Sequence, residues 1–396
     1  MLENNIIEPC YSPWSSPCLL TPKPDGSFRF VTDFRKVNAV TKTDCYPLPR
    51  IDSLIDKVGN ARFVSKFDLL KGYWQIPLTE RAKDISAFCT GSGLYRYLVS
   101  PFGMKNSGCT FQRLMDIVVS KLENTDVYVD DLIVDNETTW SDHLALIRAL
   151  FERLRKFRLT VSLLKCEFAR ATVHFLGHEV GQGKVLPAEA KIQAIANFPI
   201  PENKKAVSRL IGMVGFYRKF CPNLSTVMAP LTDLVSPKVA FVWTDQCREA
   251  LDKLKRILTS SPVLVTPDYT KEFRLYVDSS DVGSGAALMQ QDDDLLEHPV
   301  SFYSKKLNKH QRNYSTVEKE ALALLLAVRH YDVYLSSSPF PICVFTDHNP
   351  LVFVNRMKND NQRLLRWSLT LQGYNLVICH VKGKDNVFAD ALSRAV

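Results

Sequence analysis

Residues 127–134 read VYVDDLIV, and the adjacent aspartates Asp130 and Asp131 determine how this half of the chain is interpreted. Their neighbours are Val, Tyr, Leu and Ile, which favour a packed β-strand. The stretch has none of the Gly, Pro or Asn residues that mark an ordinary hairpin turn. Two like charges in a buried strand repel each other and raise one carboxyl pKa. Because a bound divalent cation would relieve that repulsion, the stretch predicts a metal site.

A third aspartate, Asp68, closes the strand-like segment FVSKFD at residues 63–68. If the two strands are neighbours in one sheet, Asp68, Asp130 and Asp131 converge at its edge. Three such carboxylates can hold two Mg²⁺ ions about 4 Å apart, which activates a 3′-hydroxyl and stabilises the transition state at phosphorus. Taken singly, each aspartate is equally explained as a turn cap, so the prediction rests on the three together.

Four carboxylates in the second half of the chain repeat this pattern. They are Asp278 at the end of FRLYVD, Glu320 at the start of the apolar helical run EALALLLAV, Asp347 at the end of ICVFTD, and Asp390 in NVFADALSR. The helix dipole alone explains an acid at a helix start, and Glu318 is the alternative choice for the helical ligand. Together the four carboxylates fit a second two-metal phosphodiesterase site.

The wider pattern predicts an α/β protein of two or three domains. The chain has 396 residues, of which 46% are hydrophobic and 23% charged, as in ordinary globular proteins. KPDGS at residues 23–27 marks a hairpin, and helices are predicted over 104–122 and 141–157. The composition shifts at residues 197–205, and strands and helices alternate anew beyond a boundary that we place near residue 265.

Composition excludes several classes of protein. Ten cysteines, none in CxxC spacing, indicate reduced thiols rather than a disulfide framework or a zinc module. The N-terminus lacks a signal-peptide pattern, and no apolar run reaches the length of a membrane span. We therefore expect a soluble intracellular protein, in the cytoplasm, the nucleus or both, without a membrane partner. The net charge of +8 favours a polyanionic partner such as nucleic acid.

These features lie in stretches that resemble, in order and over almost the whole chain, the reverse transcriptase of gypsy-type LTR retrotransposons and the RNase H domain fused to it. The matching stretches are SPWSSPCLLTPKPDGSFRFVTDFRKVN, YPLPRID, FVSKFDLLKGYWQIPL, LVSPFGMKNSGCTFQRLM, VYVDDLIV, KCEFARATVHFLGHEV, GFYRKF, FVWTDQC, YVDSSDVGSGAAL, NYSTVEKEALAL, FTDHNPL, RLLRW and GKDNVFADALSR. A YxDD stretch alone is weakly specific, whereas the ordered series is highly specific.

The resemblance implies an α+β polymerase right hand, followed by an RNase H-like α/β domain with a mixed central sheet. It places the fingers and palm in residues 1–190, the thumb and connection in 191–264, and the RNase H-like domain in 265–396. The basic amphipathic helix around 204–219 then corresponds to the thumb that tracks the primer–template duplex. A solvated surface helix is the alternative interpretation of that pattern.

The resemblance also implies roles for single residues in the polymerase half, where Asp68, Asp130 and Asp131 match the metal ligands. The matching substrate-binding residues are Tyr73 beneath the incoming sugar, Arg29 and Lys23 at the triphosphate, and Phe102 and Gly103 beside the nascent base pair. A planar, permanently charged guanidinium suits a triphosphate. A core tyrosine and a solvated loop lysine are the alternatives for Tyr73 and Lys23.

In the second half, the resemblance makes Asp278, Glu320, Asp347 and Asp390 the RNase H carboxylates. His380, ten residues before Asp390, matches a mobile histidine that helps to release product, with a plain strand-end histidine as the alternative. The implied cofactor is Mg²⁺, two ions in each active site, with Mn²⁺ as a substitute.

One segment departs from the family pattern. Ala-Pro usually follows the Lys-Asn pair, whereas this chain has Ser107, Gly108 and Cys109. Loss of the proline is expected to loosen the helix start near the template and to lower polymerase efficiency. No DTG or DSG protease motif is present, and no integrase zinc module or acidic triad follows Asp390. We therefore expect a piece of a larger polyprotein or a stand-alone remnant.

The leading hypothesis is a bifunctional enzyme. It would extend a DNA primer with dNTPs on an RNA or DNA template and cleave the RNA of an RNA·DNA hybrid, by two-metal-ion phosphoryl transfer in each domain. The hybrid would be held through its backbone, so binding should be salt-sensitive and nearly sequence-independent. A silent nucleic-acid-binding remnant and an active RNase H beside a weakened polymerase remain alternatives, which metal-dependent turnover separates. The pattern favours neither a monomer nor a dimer.

Overall fold

The computed structural model describes residues 1–22, 26–260, 263–347 and 362–381. These residues form two compact units, which meet in the chain between Leu176 and Gly177. The predicted three-part division at residues 190 and 264 stays a prediction. Two of the candidate site residues, Lys23 and Asp390, lie outside the described residues.

The first unit contains ten strands and five α-helices among its described residues. In chain order they are β1 (Ile7–Pro9), β2 (Cys18–Pro22), β3 (Phe28–Thr32), α1 (Arg35–Val40), α2 (Ile51–Gly59), β4 (Phe63–Asp68), α3 (Glu80–Ile85), β5 (Phe88–Thr90), β6 (Gly93–Tyr97), α4 (Ser107–Val119), β7 (Thr125–Tyr128), β8 (Asp131–Asn136), α5 (Trp140–Lys156), β9 (Glu167–Arg170) and β10 (Val173–Phe175). Short 3₁₀ turns occupy Gly72–Gln75 and Leu163–Lys165.

A four-stranded antiparallel sheet in the order β7-β8-β4-β9 is the centre of the first unit. Because side chains alternate along a strand, Phe67, Leu132 and Val134 all point to one face of this sheet. There they join a core with Phe111 of α4 and Leu150 of α5. The opposite face carries Asp68 and Asp131, which leaves the carboxylates on the face away from these helices.

Two smaller sheets complete the first unit. Strands β2 and β3 pair antiparallel from Cys18 opposite Thr32 to Pro22 opposite Phe28, which confirms the hairpin predicted around KPDGS. Strands β1, β6 and β5 form a three-stranded antiparallel sheet. A core that includes Phe34, Phe88 and Tyr97 packs against this sheet.

The second unit contains eight strands and nine α-helices among its described residues. In chain order they are β11 (His178–Gly181), β12 (Lys184–Pro187), α6 (Glu189–Ala196), α7 (Lys204–Phe216), α8 (Leu224–Val227), α9 (Ala229–Leu234), α10 (Asp245–Thr259), β13 (Leu264–Val265), β14 (Arg274–Ser279), β15 (Gly283–Gln291), β16 (Glu297–Lys306), α11 (Lys309–Arg312), α12 (Thr316–His330), α13 (Asp332–Ser336), β17 (Ile342–Thr346), α14 (Gln362–Leu371) and β18 (Leu376–His380).

A five-stranded mixed sheet in the order β16-β15-β14-β17-β18 forms the body of the second unit, as predicted. Strand β15 pairs antiparallel with both β14 and β16, whereas β17 pairs parallel with both β14 and β18. Helix α12 packs on this sheet through an almost wholly apolar face that includes Ala321, Leu324 and Val328. The carboxyl ends of β14 and β17 therefore lie side by side at one edge.

Helices α6 to α10 precede that sheet. The apolar stripe of α7 is buried as predicted, with Val207, Leu210 and Val214 each fully inaccessible to solvent. Among the described residues, no helix combines the length and the apolar composition needed to cross a membrane.

Candidate active sites

The two central aspartates of VYVDDLIV lie at a hairpin turn, which corrects the expectation of an uninterrupted buried strand. Strand β7 ends at Tyr128 and β8 begins at Asp131, so Val129 and Asp130 form a two-residue connection. Such a turn requires a positive φ, which Gly or Asn normally provides. Here Val129 adopts φ 56°, a conformation that is sterically unfavourable for a β-branched residue. Sequence reasoning missed the turn because its usual residues are absent.

The strands bring two of the three predicted aspartates together. Asp68, the last residue of β4, is the direct cross-strand neighbour of Asp131, the first residue of β8. Directly opposed like charges in a sheet destabilise it unless a cation compensates them. The structure thus confirms that Asp68 and Asp131 share one sheet edge, with Asp130 in the adjoining turn.

Two lysines lie against these aspartates. Lys165 Nζ lies 3.3 Å from Asp68 Oδ1 and 3.4 Å from Oδ2, and Lys66 Nζ lies 3.4 Å from Asp131 Oδ1. Sequence reasoning missed both. Lys66 was detectable, since it precedes Asp68 by two residues in a strand and therefore shares its face. Lys165 follows a loop, and its position depends on the tertiary fold.

Asp130 has an exposed side chain in the turn, whereas Asp68 and Asp131 are half-buried. An added Cβ on Gly72 would lie 3.4 Å from Asp130 Cβ, so this glycine leaves the room that the aspartate fills. Partial desolvation raises the pKa of the Asp130 carboxyl, and the nearby Asp131 and Asp68 carboxylates act in the same direction. A cation bound beside these three groups would favour their ionised forms.

Aromatic rings adjoin the aspartates. Tyr73 contacts Phe102 edge-on at a centroid distance of 5.2 Å and Phe111 at 5.5 Å. Burial raises the pKa of the Tyr73 hydroxyl, with a smaller contribution from Asp130. Tyr73 and Phe102, predicted as substrate-binding residues, are therefore brought together beside Asp130.

The turn that carries Phe102 and Gly103 is fixed by a single amide. Gly103 adopts φ 92°, a conformation that favours glycine. Asn38 Nδ2 donates a hydrogen bond to the Gly103 carbonyl at 2.8 Å, and Asn38 Oδ1 accepts one from the Lys105 backbone N–H at 2.8 Å. Arg29 lies apart from this group, with an exposed side chain on β3 opposite Thr21.

A second group of carboxylates lies in the second unit. Asp278, Glu320 and Asp347 offer carboxylate oxygens that all lie within 4.8 Å of one another. Asp278 is on β14, and Asp347 directly follows β17, its parallel neighbour, so the fold delivers both to one sheet edge. Oxygen donors at this spacing suit Mg²⁺ or a similar hard divalent cation.

The helical member of this group is Glu320 rather than Glu318. Glu320 is 4% exposed, and its Oε1 accepts a hydrogen bond from the Ser279 backbone N–H at 3.2 Å. Glu318 instead forms a capping box with Ser315 at the start of α12 and an ion pair with Arg363. A capping role accounts for Glu318 fully.

His380 lies beside this second group. It is the last residue of β18, and its ring Nε2 lies 3.1 Å from the Asp347 backbone carbonyl. The ring is exposed. It is therefore close to the carboxylates without being one of their buried neighbours, while the fourth predicted ligand, Asp390, falls outside the described residues.

Comparison with protein families gives two matches that follow each other along the chain. Residues 21–180 match the family model for reverse transcriptase (RNA-dependent DNA polymerase). Residues 243–342 match that for the RNase H-like domain found in reverse transcriptase. The first match contains the Asp68, Asp130 and Asp131 group, and the second contains Asp278 and Glu320.

The chain is also similar to individual proteins. The retrovirus-related Pol polyprotein from transposon 297 of Drosophila melanogaster is 38% identical over 403 residues, covering 100% of this chain and 37% of that polyprotein. The chain thus spans about a third of the length of the curated relatives it matches.

Solved structures of the foamy viral protease-reverse transcriptase have a similar fold. The complex with double-stranded DNA gives a TM-score of 0.84 at 22% identity, covering 96% of this chain and 68% of that chain. The complex with an RNA/DNA hybrid gives 0.76 at 22% identity, covering 96% and 52%. Identity at this level establishes a common fold.

Proposed function

Because the chain belongs to the reverse transcriptases of retrotransposon Pol polyproteins, we propose that it is an RNA-directed DNA polymerase that also copies DNA and cleaves the RNA of RNA·DNA hybrids. The observation that carries the proposal is a convergent group of carboxylates in each unit, one around Asp68 and Asp131 and one around Asp278, Glu320 and Asp347. The order of motifs along the chain supports the gypsy type of element.

In the polymerase site, Asp68, Asp130 and Asp131 would hold Mg²⁺, for which Mn²⁺ is the expected substitute. Their carboxylate oxygens fit such hard cations, and the crowding of like charges supports the assignment. The bound cations would neutralise the phosphates and lower the pKa of the primer 3′-hydroxyl. Lys165 and Lys66 balance part of the aspartate charge.

Other residues of the first unit would orient the nucleotide. The Tyr73 ring, which contacts Phe102 and Phe111 edge-on, would form a rigid surface for the sugar of the dNTP and would leave little room for a 2′-hydroxyl. Gly103, in the turn held by Asn38, would lie beside the nascent base pair. Arg29 is exposed on its hairpin, and it would bind the triphosphate together with Lys23.

In the nuclease site, Asp278, Glu320 and Asp347 would hold Mg²⁺ with Asp390 as a fourth ligand. Burial of Glu320 and its hydrogen bond from the Ser279 backbone fix its carboxylate toward the aspartates. The exposed ring of His380, beside the Asp347 carbonyl, is free to approach a departing phosphate and would assist product release.

The nucleic-acid partners follow from these activities: an RNA or DNA template, a DNA primer, the RNA·DNA hybrid and dNTPs. The foamy viral enzyme, which has a similar fold, has been solved with double-stranded DNA and with a hybrid. The positive net charge of +8 supports binding to such duplexes.

The proposal is tested by measuring dNTP incorporation on a DNA-primed RNA template with Mg²⁺, beside cleavage of a labelled hybrid by the same preparation. Asp130→Asn is expected to abolish DNA synthesis and to leave hybrid cleavage intact, because the two carboxylate groups lie in different units. Asp347→Asn is expected to stop hybrid cleavage and to spare primer extension. Each variant is the matched control for the other.

The outcomes separate the alternatives. DNA synthesis that persists in Asp130→Asn would contradict the role of Asp130. Hybrid cleavage without synthesis by the unsubstituted chain would favour an RNase H beside a weakened polymerase, and absence of both activities in a folded protein would favour a nucleic-acid-binding remnant. Loss of both activities in Asp347→Asn would contradict the assignment of the two sites to separate units.

A further inference from the structure

A buried glutamine holds the turn that carries Asp130. Gln112, on α4, has no solvent-accessible surface. Its Oε1 accepts a hydrogen bond from the Val129 backbone N–H at 2.7 Å. Its Nε2 donates to the Val127 carbonyl at 3.2 Å and to Asp116 Oδ1 at 2.8 Å. The acceptor and both donors of the amide are therefore engaged, and their different partners fix its orientation.

The hydrogen bond to Val129 acts where the backbone is strained. Val129 adopts φ 56°, and a left-handed conformation is sterically unfavourable for an L-residue with a Cβ. Such a conformation persists when the surrounding structure fixes it. Gln112 contacts the backbone on both sides of Tyr128, at Val127 and Val129, and so holds the peptide units that lead into the turn.

The Gln112 amide is itself oriented by Asp116. Asp116 accepts the hydrogen bond from Gln112 through Oδ1 and one from the Tyr46 hydroxyl through Oδ2. Arg113 pairs with Asp44 at 2.9 Å, and its guanidinium lies 4.6 Å from the centre of the Tyr46 ring. The segment around Tyr46 thus anchors the Asp116 carboxylate, which in turn orients the Gln112 amide.

We propose that Gln112 is a positioning residue for DNA synthesis. Its amide keeps Val129 left-handed, and the turn then presents Asp130 beside the paired Asp68 and Asp131. Without the amide, Val129 relaxes toward negative φ, and the Asp130 carboxylate moves relative to the other two. This inference rests on the proposed polymerase function, since it assigns the turn a role in holding divalent cations there.

The test replaces the amide with an apolar side chain of similar length. Gln112→Met is expected to lower the kcat of dNTP incorporation by about 10–100-fold and to raise the Mg²⁺ concentration at half-maximal synthesis several-fold, the size of effect seen when a residue that orients metal ligands is lost. Hybrid cleavage by the same preparation should stay within about twofold, because its carboxylates lie in the second unit.

A binding measurement gives a readout apart from activity. In a chain that carries Asp347→Asn to weaken the second site, Mn²⁺ affinity measured by electron paramagnetic resonance should fall about 5–10-fold when Gln112→Met is added. Adding Val129→Gly to Gln112→Met should recover part of the synthesis rate, because glycine adopts positive φ without steric cost.

Gln290→Met is the matched control. Gln290 is also buried, at 4% exposure, and its amide similarly bridges the backbone N–H and carbonyl of Asp268, but it lies in the second unit. This variant should lose thermal stability and keep the kcat and Mg²⁺ dependence of DNA synthesis.

If Gln112→Met does not fold, Asp116→Ala provides the test. This variant removes the hydrogen bond between Gln112 Nε2 and Asp116 and leaves Gln112 Oε1 able to accept from the Val129 N–H. It should slow DNA synthesis by about threefold or more.

Two results would overturn the inference. One is unchanged kcat, Mg²⁺ dependence and Mn²⁺ affinity in Gln112→Met. The other is an equal fall of DNA synthesis and hybrid cleavage in step with lost stability, which would make Gln112 a general structural residue. Either would leave the proposed function intact when the unsubstituted chain makes DNA. Absence of synthesis by the unsubstituted chain would overturn the proposed function, and the inference with it.

Discussion

Two glycines near the proposed polymerase site differ in their backbone conformation. Gly103 adopts φ 92°, where any side chain is strained. Gly108 lies within α4, where an added Cβ would lie no nearer than 3.7 Å to a neighbour, the Tyr73 hydroxyl. The helix starts at Ser107, whose hydroxyl lies 3.0 Å from that of Ser100. The Asn106 N-cap makes no side-chain hydrogen bond to the helix, so the effect of the missing proline stays a prediction.

Gly108→Ala is expected to raise the free energy of unfolding by about 0.5–1 kcal/mol, because alanine loses less backbone entropy than glycine in a helix. Primer extension should be retained. Gly103→Ala, the matched control, should lower stability, since its backbone is left-handed. Urea denaturation of both variants measures the difference, and destabilisation by Gly108→Ala would contradict the ordinary van der Waals spacing at that position.

Asp135 is a buried titratable group outside the proposed active sites. It is 9% exposed on β8, and its Oδ1 has no hydrogen-bond partner among the described residues. Burial raises the pKa of its carboxyl from 3.8 to about 7, with a smaller contribution from Asp126. At a pH between these two pKa values, the folded state therefore keeps a proton on the Asp135 carboxyl, whereas the unfolded state has released it.

The stability contributed by this proton is present below pH 4 and is lost as the pH rises toward 7. Asp135→Asn cannot ionise, so it should stabilise the protein at pH 8, by on the order of 2 kcal/mol, and much less at pH 5. Thermal melting of both proteins at the two pH values measures this. An equal gain at both pH values would show that the effect does not arise from ionisation.

At the level of elements, two basic residues of α7 make contacts within the second unit. Lys204 donates a hydrogen bond to the Ser236 carbonyl at 2.7 Å, and the Arg209 guanidinium lies 5.2 Å from the centre of the Phe198 ring. These charges support the packing of the second unit. The exposed positions of α7 include Ser208 and Gly212 as well as Lys205 and Arg209.

Added Cβ atoms at Gly212 and Gly215 would meet nothing within 4 Å, so this face is open to a close-approaching partner. If α7 lies along the duplex, Gly212→Leu should raise the Kd for primer–template by about tenfold, roughly 1.4 kcal/mol, because bulk separates the surfaces. Glu249→Leu, at an exposed position on α10, is the control and should have little effect. Fluorescence anisotropy with a labelled hairpin measures both, and unchanged binding by Gly212→Leu would contradict a duplex contact at this face.

At the level of the whole molecule, the net charge of +8 bears on nucleic-acid binding. Each neutralised phosphate releases counterions, so affinity falls with salt. Binding of an RNA·DNA hybrid should weaken by about 100-fold between 50 and 200 mM KCl for about four phosphate contacts. Sequence changes in the hybrid should matter far less. A titration at several salt concentrations measures the slope, and a flat dependence would contradict backbone recognition.

Much of the fold and of both sites was predictable from local patterns. Alternation and turn residues predicted the β2–β3 hairpin, and the succession of strands and helices predicted an α/β arrangement in the second unit, whose mixed sheet the family resemblance implied. Strand-end carboxylates predicted that Asp68 and Asp131 share a sheet edge. These predictions succeed because the period of a strand and the burial of its apolar residues are properties of a few neighbouring residues.

The remaining features depend on contacts between segments far apart in the chain. The left-handed Val129 has no local signal and is held by Gln112, 17 residues away. Lys165 reaches Asp68 across 97 residues of sequence. The sequence already favoured Glu320 over Glu318 as the helical ligand, and the packing of α12 against β14 then places the Glu320 carboxylate beside Ser279. Local propensity therefore predicts which residues form each element, whereas side-chain hydrogen bonds and packing between elements place the carboxylates and hold the strained turn.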